Sequence, residues 1–184
     1  MTTTKAITLY SFDELSESAQ DKVVENMWEI NVDYDWWESV YADAESIGIK
    51  IKEFDLYRGT IKGDLWADLL NSINSVLSEH GVSTDTYSVA NSYLEEYNKE
   101  YKKWIANQEK EGCEDWSEDD WHHEFRFSEE VDNLALDYRK DMLETYRVML
   151  NKEYDYLTSR EAVIDTILAN EYNFTEDGSR TVTL

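Results

Sequence analysis

The chain has 184 residues, 17 of them Lys or Arg and 41 Asp or Glu, for a formal charge of −24. A surplus of that size excludes direct binding to nucleic acid or to an anionic membrane, both of which need a cationic face, and no run of about 18 apolar residues offers a membrane span. Hydrophobic residues at 41% and aromatics at 14% separate the chain from disordered acidic tails, so it is expected to fold.

Lys5 to Tyr10 alternate with β-branched side chains, which predicts a short strand or extended lead-in. Ser11-Phe-Asp-Glu14 matches a capping box and Ser16 offers a second cap. Ala19, Val23, Met27 and Ile30 then recur at helical spacing, predicting a helix over about 13–31. Asp33 is placed to cap a second helix whose inner face carries Trp36, Trp37, Val40, Tyr41 and Ile47, with Gly48 ending it. Ile49 to Tyr57 alternates, but its apolar set changes face midway, which predicts a bulge. Arg58-Gly59 then turns the chain into a short returning strand over 60–63.

A third helix is expected over 65–80, closed by Gly81, and a fourth over 87–110. In the fourth, Tyr93, Tyr97, Tyr101 and Trp104 form a stripe read as packing rather than as a stacking platform. Ser128 is a cap for a helix over 129–156 with Val131, Leu134, Tyr138, Met142, Tyr146 and Met149 inward. Thr158-Ser-Arg-Glu161 starts a last helix to about Glu171, and Asp177-Gly178 reads as a hairpin turn between 173–175 and 181–183. With no Pro and six Gly, long helices are unobstructed. The expected fold is α+β: a mainly helical single domain, 1–184, with a small antiparallel sheet and residues 82–130 as an insertion or protruding acidic arm.

Tyr10-Ser-Phe-Asp-Glu-Leu-Ser16, Trp36-Trp37 and Phe54-Asp-Leu-Tyr-Arg-Gly59 form one recognisable group. Glu153-Tyr-Asp-Tyr-Leu-Thr-Ser159 with Asn170-Glu-Tyr-Asn-Phe-Thr-Glu-Asp-Gly178 forms another. Together, over roughly 9–65 and 134–178, they resemble a family of acidic proteins of bacteriophages and mobile elements, some labelled antitoxin-like. The resemblance implies a context, a phage or plasmid gene acting inside a bacterium, and transfers no catalytic residue.

The densest acidic stretch is Glu111, Glu114, Asp115, Glu118, Asp119, Asp120 and Glu124, followed by Glu129 and Glu130, against the single base Arg126. Trp116, Trp121, Phe125 and Phe127 are interleaved. So many carboxylates repel one another, and a cationic groove built for phosphates would supply the missing counter-charge, the aromatics serving as buried anchors. The bland alternative is a solvated loop whose aromatics tuck into the core.

A metal reading would use His122, His123, Cys113, Asp119, Asp120 and Glu124, but adjacent histidines diverge by about 100° on a helix and no zinc spacing is present. Asp33, Asp35 and Glu38 lack the glycine of a calcium loop. No Gly-x-Ser-x-Gly or phosphate-binding glycine loop occurs, and Cys113 among carboxylates is read as unreactive.

The expectation is therefore a non-enzymatic protein without cofactor. Its partner is a basic host protein, either a nucleic-acid-binding defence effector of the CRISPR or restriction type, inhibited by DNA mimicry, or a toxin. A metal-dependent enzyme using His122, His123 and Glu124 is the more distant alternative. The lone cysteine and the start Met1-Thr-Thr-Thr-Lys5 point to the cytoplasm of the host cell, and a homodimer is the default assembly.

Overall fold

A computed structural model describes residues 7–110 and 116–180, which fall into two units: Met1–Trp36 with Asn151–Leu184, and Trp37–Leu150. The expectation of a mainly helical α+β fold holds, with two two-stranded antiparallel pairings in place of one sheet.

In the first unit, β1 (Tyr10–Ser11) pairs with β4 (Asn173–Phe174), Tyr10 lying opposite Phe174. The Ser11–Glu14 capping box forms, but it closes a 3-10 turn, Phe12–Glu14. Helix α1 (Glu17–Asn26) starts instead at Ser16, whose hydroxyl accepts the Ala19 N–H. It also stops five residues short of the expected end. From Met27 the chain makes tighter turns, which bring the buried Asn31 amide to the Leu157 carbonyl (3.0 Å) and its oxygen to the Thr166 hydroxyl (2.6 Å). Satisfying that buried amide overrides the helical periodicity.

Asp33 caps nothing: Trp36 turns aside to pack on Tyr154 (5.7 Å), and α2 begins only at Glu38. Helix α7 (Arg160–Ala169; α3 to α6 are given below) takes Ser159 rather than Thr158 as its cap. Phe12, Leu15, Val23, Val163, Ile167 and Phe174 make this unit's core. The 177–178 turn is present: Gly178 has φ +81°, and a Cβ there would lie 2.8 Å from the Ala19 carbonyl. Thr181 to Thr183, the far side of the expected hairpin, lie outside the described residues.

In the second unit, α2 (Glu38–Ser46) ends at Gly48, which has φ +87° as a helix-ending glycine requires. Strands β2 (Ile49–Asp55) and β3 (Thr60–Leu65) form a hairpin whose register slips between Ile51 and Glu53. This is the bulge anticipated from the change of face. Because Leu65 completes β3 opposite Ile49, α3 (Leu69–Glu79) starts later than periodicity suggests, capped by Asp68 through the Leu70 and Asn71 N–H groups.

Helices α4 (Asp85–Lys110), α5 (Glu118–Phe125) and α6 (Glu129–Leu157) follow, the last running on into the first unit's residues. Ala90, Tyr97 and Phe125 belong to the same buried cluster as Ile49, Ile73, Tyr138, Met142 and Tyr146. Helices α4 and α5, within the expected 82–130 arm, thus contribute side chains to this core. The tyrosine stripe of α4 supplies the reason, since its aromatic face needs burial.

Candidate protein-docking face

Helix α5 starts at Ser117, whose hydroxyl accepts the Asp120 N–H while the Asp120 carboxylate accepts the Ser117 N–H (3.1 Å) and hydroxyl (2.6 Å). Those bonds hold the Asp120 carboxyl below the usual carboxylate range. One face of α5 is sealed. Phe125 is fully buried against Tyr97 (5.1 Å), Tyr101 (5.2 Å) and Trp104 (5.6 Å), and Trp121 is only 8% exposed, edge-on to Trp104 at 5.8 Å. The other face carries Asp119, Asp120 and Glu124, with Glu118 at the helix start on the Tyr101 side; all four are exposed, and Glu129, Glu130 and Asp132 follow in the first turn of α6.

Arg126, the one Lys or Arg among residues 116–132, is turned away from this run. Its guanidinium meets the Asp68 carboxylate at 3.0 and 3.2 Å. The seven carboxylates between Glu118 and Asp132 therefore have no Lys or Arg ion-pair partner among the described residues.

Of the residues expected to form the partner surface, Glu118, Asp119, Asp120, Glu124, Glu129 and Glu130 share this exposed stretch, and Trp116 stands at its start, 38% exposed. Trp121 is a correction: it is a core residue, clamped between Trp104 and Trp116, and offers no anchor to a partner. Phe127, at 73% exposure, is the aromatic of this stretch that faces solvent most fully. Glu111, Glu114 and Asp115, with Cys113, lie outside the described residues. The proposed metal ligands diverge. His122 stacks on Tyr101 (4.3 Å), while His123 lies by Phe127 and 3.6 Å from Glu124. Among the described residues no three His, Cys, Asp or Glu converge as a metal site.

Sequence reasoning missed a second polar cluster, at the edge of the same unit's core, where the Asp43 side chain is 42% exposed. Asp43 accepts the Tyr146 hydroxyl at 2.8 Å and faces His80 Nε2 at 3.6 Å, while His80 Nδ1 meets the Thr86 hydroxyl at 2.7 Å. Acid, histidine and hydroxyl are the residue types of a nucleophile with its base. Thr86, however, is 3% exposed and bonded onward to Thr84 (3.1 Å), and 3.6 Å is an ion-pair separation rather than an orienting hydrogen bond. The cluster ties α2, α4 and α6 to the end of α3. No sequence signal joins these residues: Asp43 stands 37 positions before His80, and Tyr146 stands 60 positions after Thr86.

Comparison with protein-family models, curated proteins and solved structures gives no match to this chain.

Proposed function

We propose that the chain is a non-enzymatic inhibitor from a phage or mobile element, and that it docks its α5–α6 acidic face into the basic nucleic-acid groove of a bacterial defence protein. One observation carries the reading: seven carboxylates follow one another along α5 and the start of α6, six of them in the two helices' first turns, with the one local arginine drawn off by Asp68. Carboxylates on successive helix turns stand about 5–6 Å apart, close enough to the phosphate spacing of nucleic acid for a flexible lysine- and arginine-lined groove to meet them. Occupying that groove keeps nucleic acid out, and attraction between opposite fields makes association fast and salt-sensitive.

The test is binding to purified CRISPR effectors and restriction endonucleases over a salt series, with duplex DNA as competitor. Affinity that falls with salt and competes with DNA supports the mechanism. Affinity indifferent to salt rejects it.

A further inference from the structure

Beside the acidic face lies a groove of about 790 Å³ with an unusual lining. One wall is the β3–α3 connection with Trp66; the other is the α5–α6 junction with Phe127 and the first turns of α6 with Leu136. Trp66 is 62% exposed, Phe127 73% and Leu136 52%. Single exposed apolar side chains are ordinary on a protein surface; three large ones converging on one concavity mark a binding surface.

None of the three owes its exposure to a loose backbone. Trp66 donates its N–H to the Gly48 carbonyl (3.0 Å), Phe127 donates to Glu124 (3.1 Å), and Leu136 sits inside α6. The groove's polar rim is graded. Asp132 lies at the end nearest the α6 start, on the helical face it shares with Glu129, and Arg139 lies at the other end. Asp68 and Asp64, also on the rim, are already held by Arg126 and Lys52.

We infer that this groove seats an apolar-plus-basic segment of the partner protein: one or two large apolar side chains between Trp66, Phe127 and Leu136, flanked by Lys or Arg lying over Asp132 and Glu129. The inference rests on the acidic-face reading and adds to it. A nucleic acid has no such apolar side chain, so the groove separates the protein partner from the polymer it would otherwise hold. It also supplies the anchor that the acidic face lost when Trp121 turned inward. Charge steers the encounter, and the buried apolar contact sets the dissociation rate.

The probes are two labelled peptides of equal positive charge, one carrying two leucines four residues apart among lysines, the other carrying serines in their place. Anisotropy is read between about 0.05 and 0.5 M salt. The leucine peptide should bind at least about tenfold tighter, and part of that margin should survive high salt. Trp66→Ser with Leu136→Gln should reduce the margin to less than about twofold with the circular dichroism and melting of the fold unchanged, since both side chains are exposed. Equal, salt-sensitive binding of the two peptides overturns the groove and leaves the acidic face standing. Binding of neither peptide at low salt overturns both. A margin untouched by the double variant overturns the groove, and so does concentration-dependent self-association of the free chain that Leu136→Gln abolishes, because the occupant is then a second copy.

Discussion

Replacing Phe125 by Ala should unfasten the acidic face without touching one of its charges. Phe125 is fully buried, with three aromatic rings of α4 between 5.1 and 5.6 Å away. Truncating a buried Phe costs about 3–5 kcal/mol, and the edge-to-face contact with Tyr97 together with the tilted rings of Tyr101 and Trp104 puts this site in the upper half of that range. Helix α5 has eight residues, well short of the roughly 12–15 at which an isolated helix becomes marginal in water. Its remaining supports are Trp121, the His122–Tyr101 stack, the Arg126–Asp68 pair and the Ser117–Asp120 cap, the last contributing about 1 kcal/mol.

Urea unfolding should show the full loss, and native-state hydrogen exchange should accelerate roughly a hundredfold or more in α5 while α1 and α7 exchange as before. Phe125→Leu, which keeps most of the apolar volume, should recover the greater part. A partner or basic peptide should bind the Ala variant more weakly although every carboxylate is retained. The reasoning fails if α5 amides stay as protected as in the parent chain, or if the loss is below about 1 kcal/mol.

Two buried tyrosine hydroxyls should respond with opposite sign. Tyr146→Phe removes the bond to Asp43 and should destabilise by about 1–3 kcal/mol, whereas the buried Tyr97 hydroxyl has no partner among the described residues, so Tyr97→Phe should be neutral or stabilising in the same urea assay. Alkaline pH gives an independent reading. Burial pushes the Tyr138 phenol up to about 12 against an ordinary value near 10. Its proton is thus held more tightly in the folded chain, and stability is whole below about pH 10 and declines as pH climbs toward about 12. Tyr146 and Tyr93, raised by burial and by the carboxylates of Asp43 and Asp141, act in the same direction. A Tyr138→Phe difference titration at 295 nm should place this phenolate with unfolding; phenolate formation near pH 10 with near-ultraviolet circular dichroism intact would refute it.

Local chemistry was legible in the sequence, and long-range chemistry was not. The β2 bulge followed from a change of face within seven residues, and the α4 stripe from its own periodicity. The early end of α1 was hidden, because Asn31 leaves the helix for partners 126 and 135 residues away. The acidity of the site could be read directly. The inward turn of Trp121 had a signal that composition obscured: Trp121 and Phe125 are four apart, so they share one side of a short helix and go inward together. Trp66 and Leu136 carried no signal at all, being single apolar residues 70 positions apart that only the packing of the β3–α3 connection near α6 brings to one groove.

Why the carboxylates stand where they do can be separated from what they are for. Glu118, Asp119 and Asp120 occupy the first turn of α5, and Glu129, Glu130 and Asp132 the first turn of α6. Exposed amides and the helix dipole favour negative charge there by about 0.3–1 kcal/mol each, so helix stability alone accounts for six of the seven. Glu124 is the exception. It lies in the last turn of α5, where the dipole opposes it, beside His123. Glu124→Gln should therefore raise the stability of α5 slightly, and that gain is expected whether or not the face docks anything. Affinity distinguishes the cases. If the acids serve only solubility and helix starts, a basic partner or the lysine–leucine peptide binds Glu124→Gln as it binds the parent chain. If they form one docking face, affinity falls while stability rises, and the loss shrinks as salt screens the pairing.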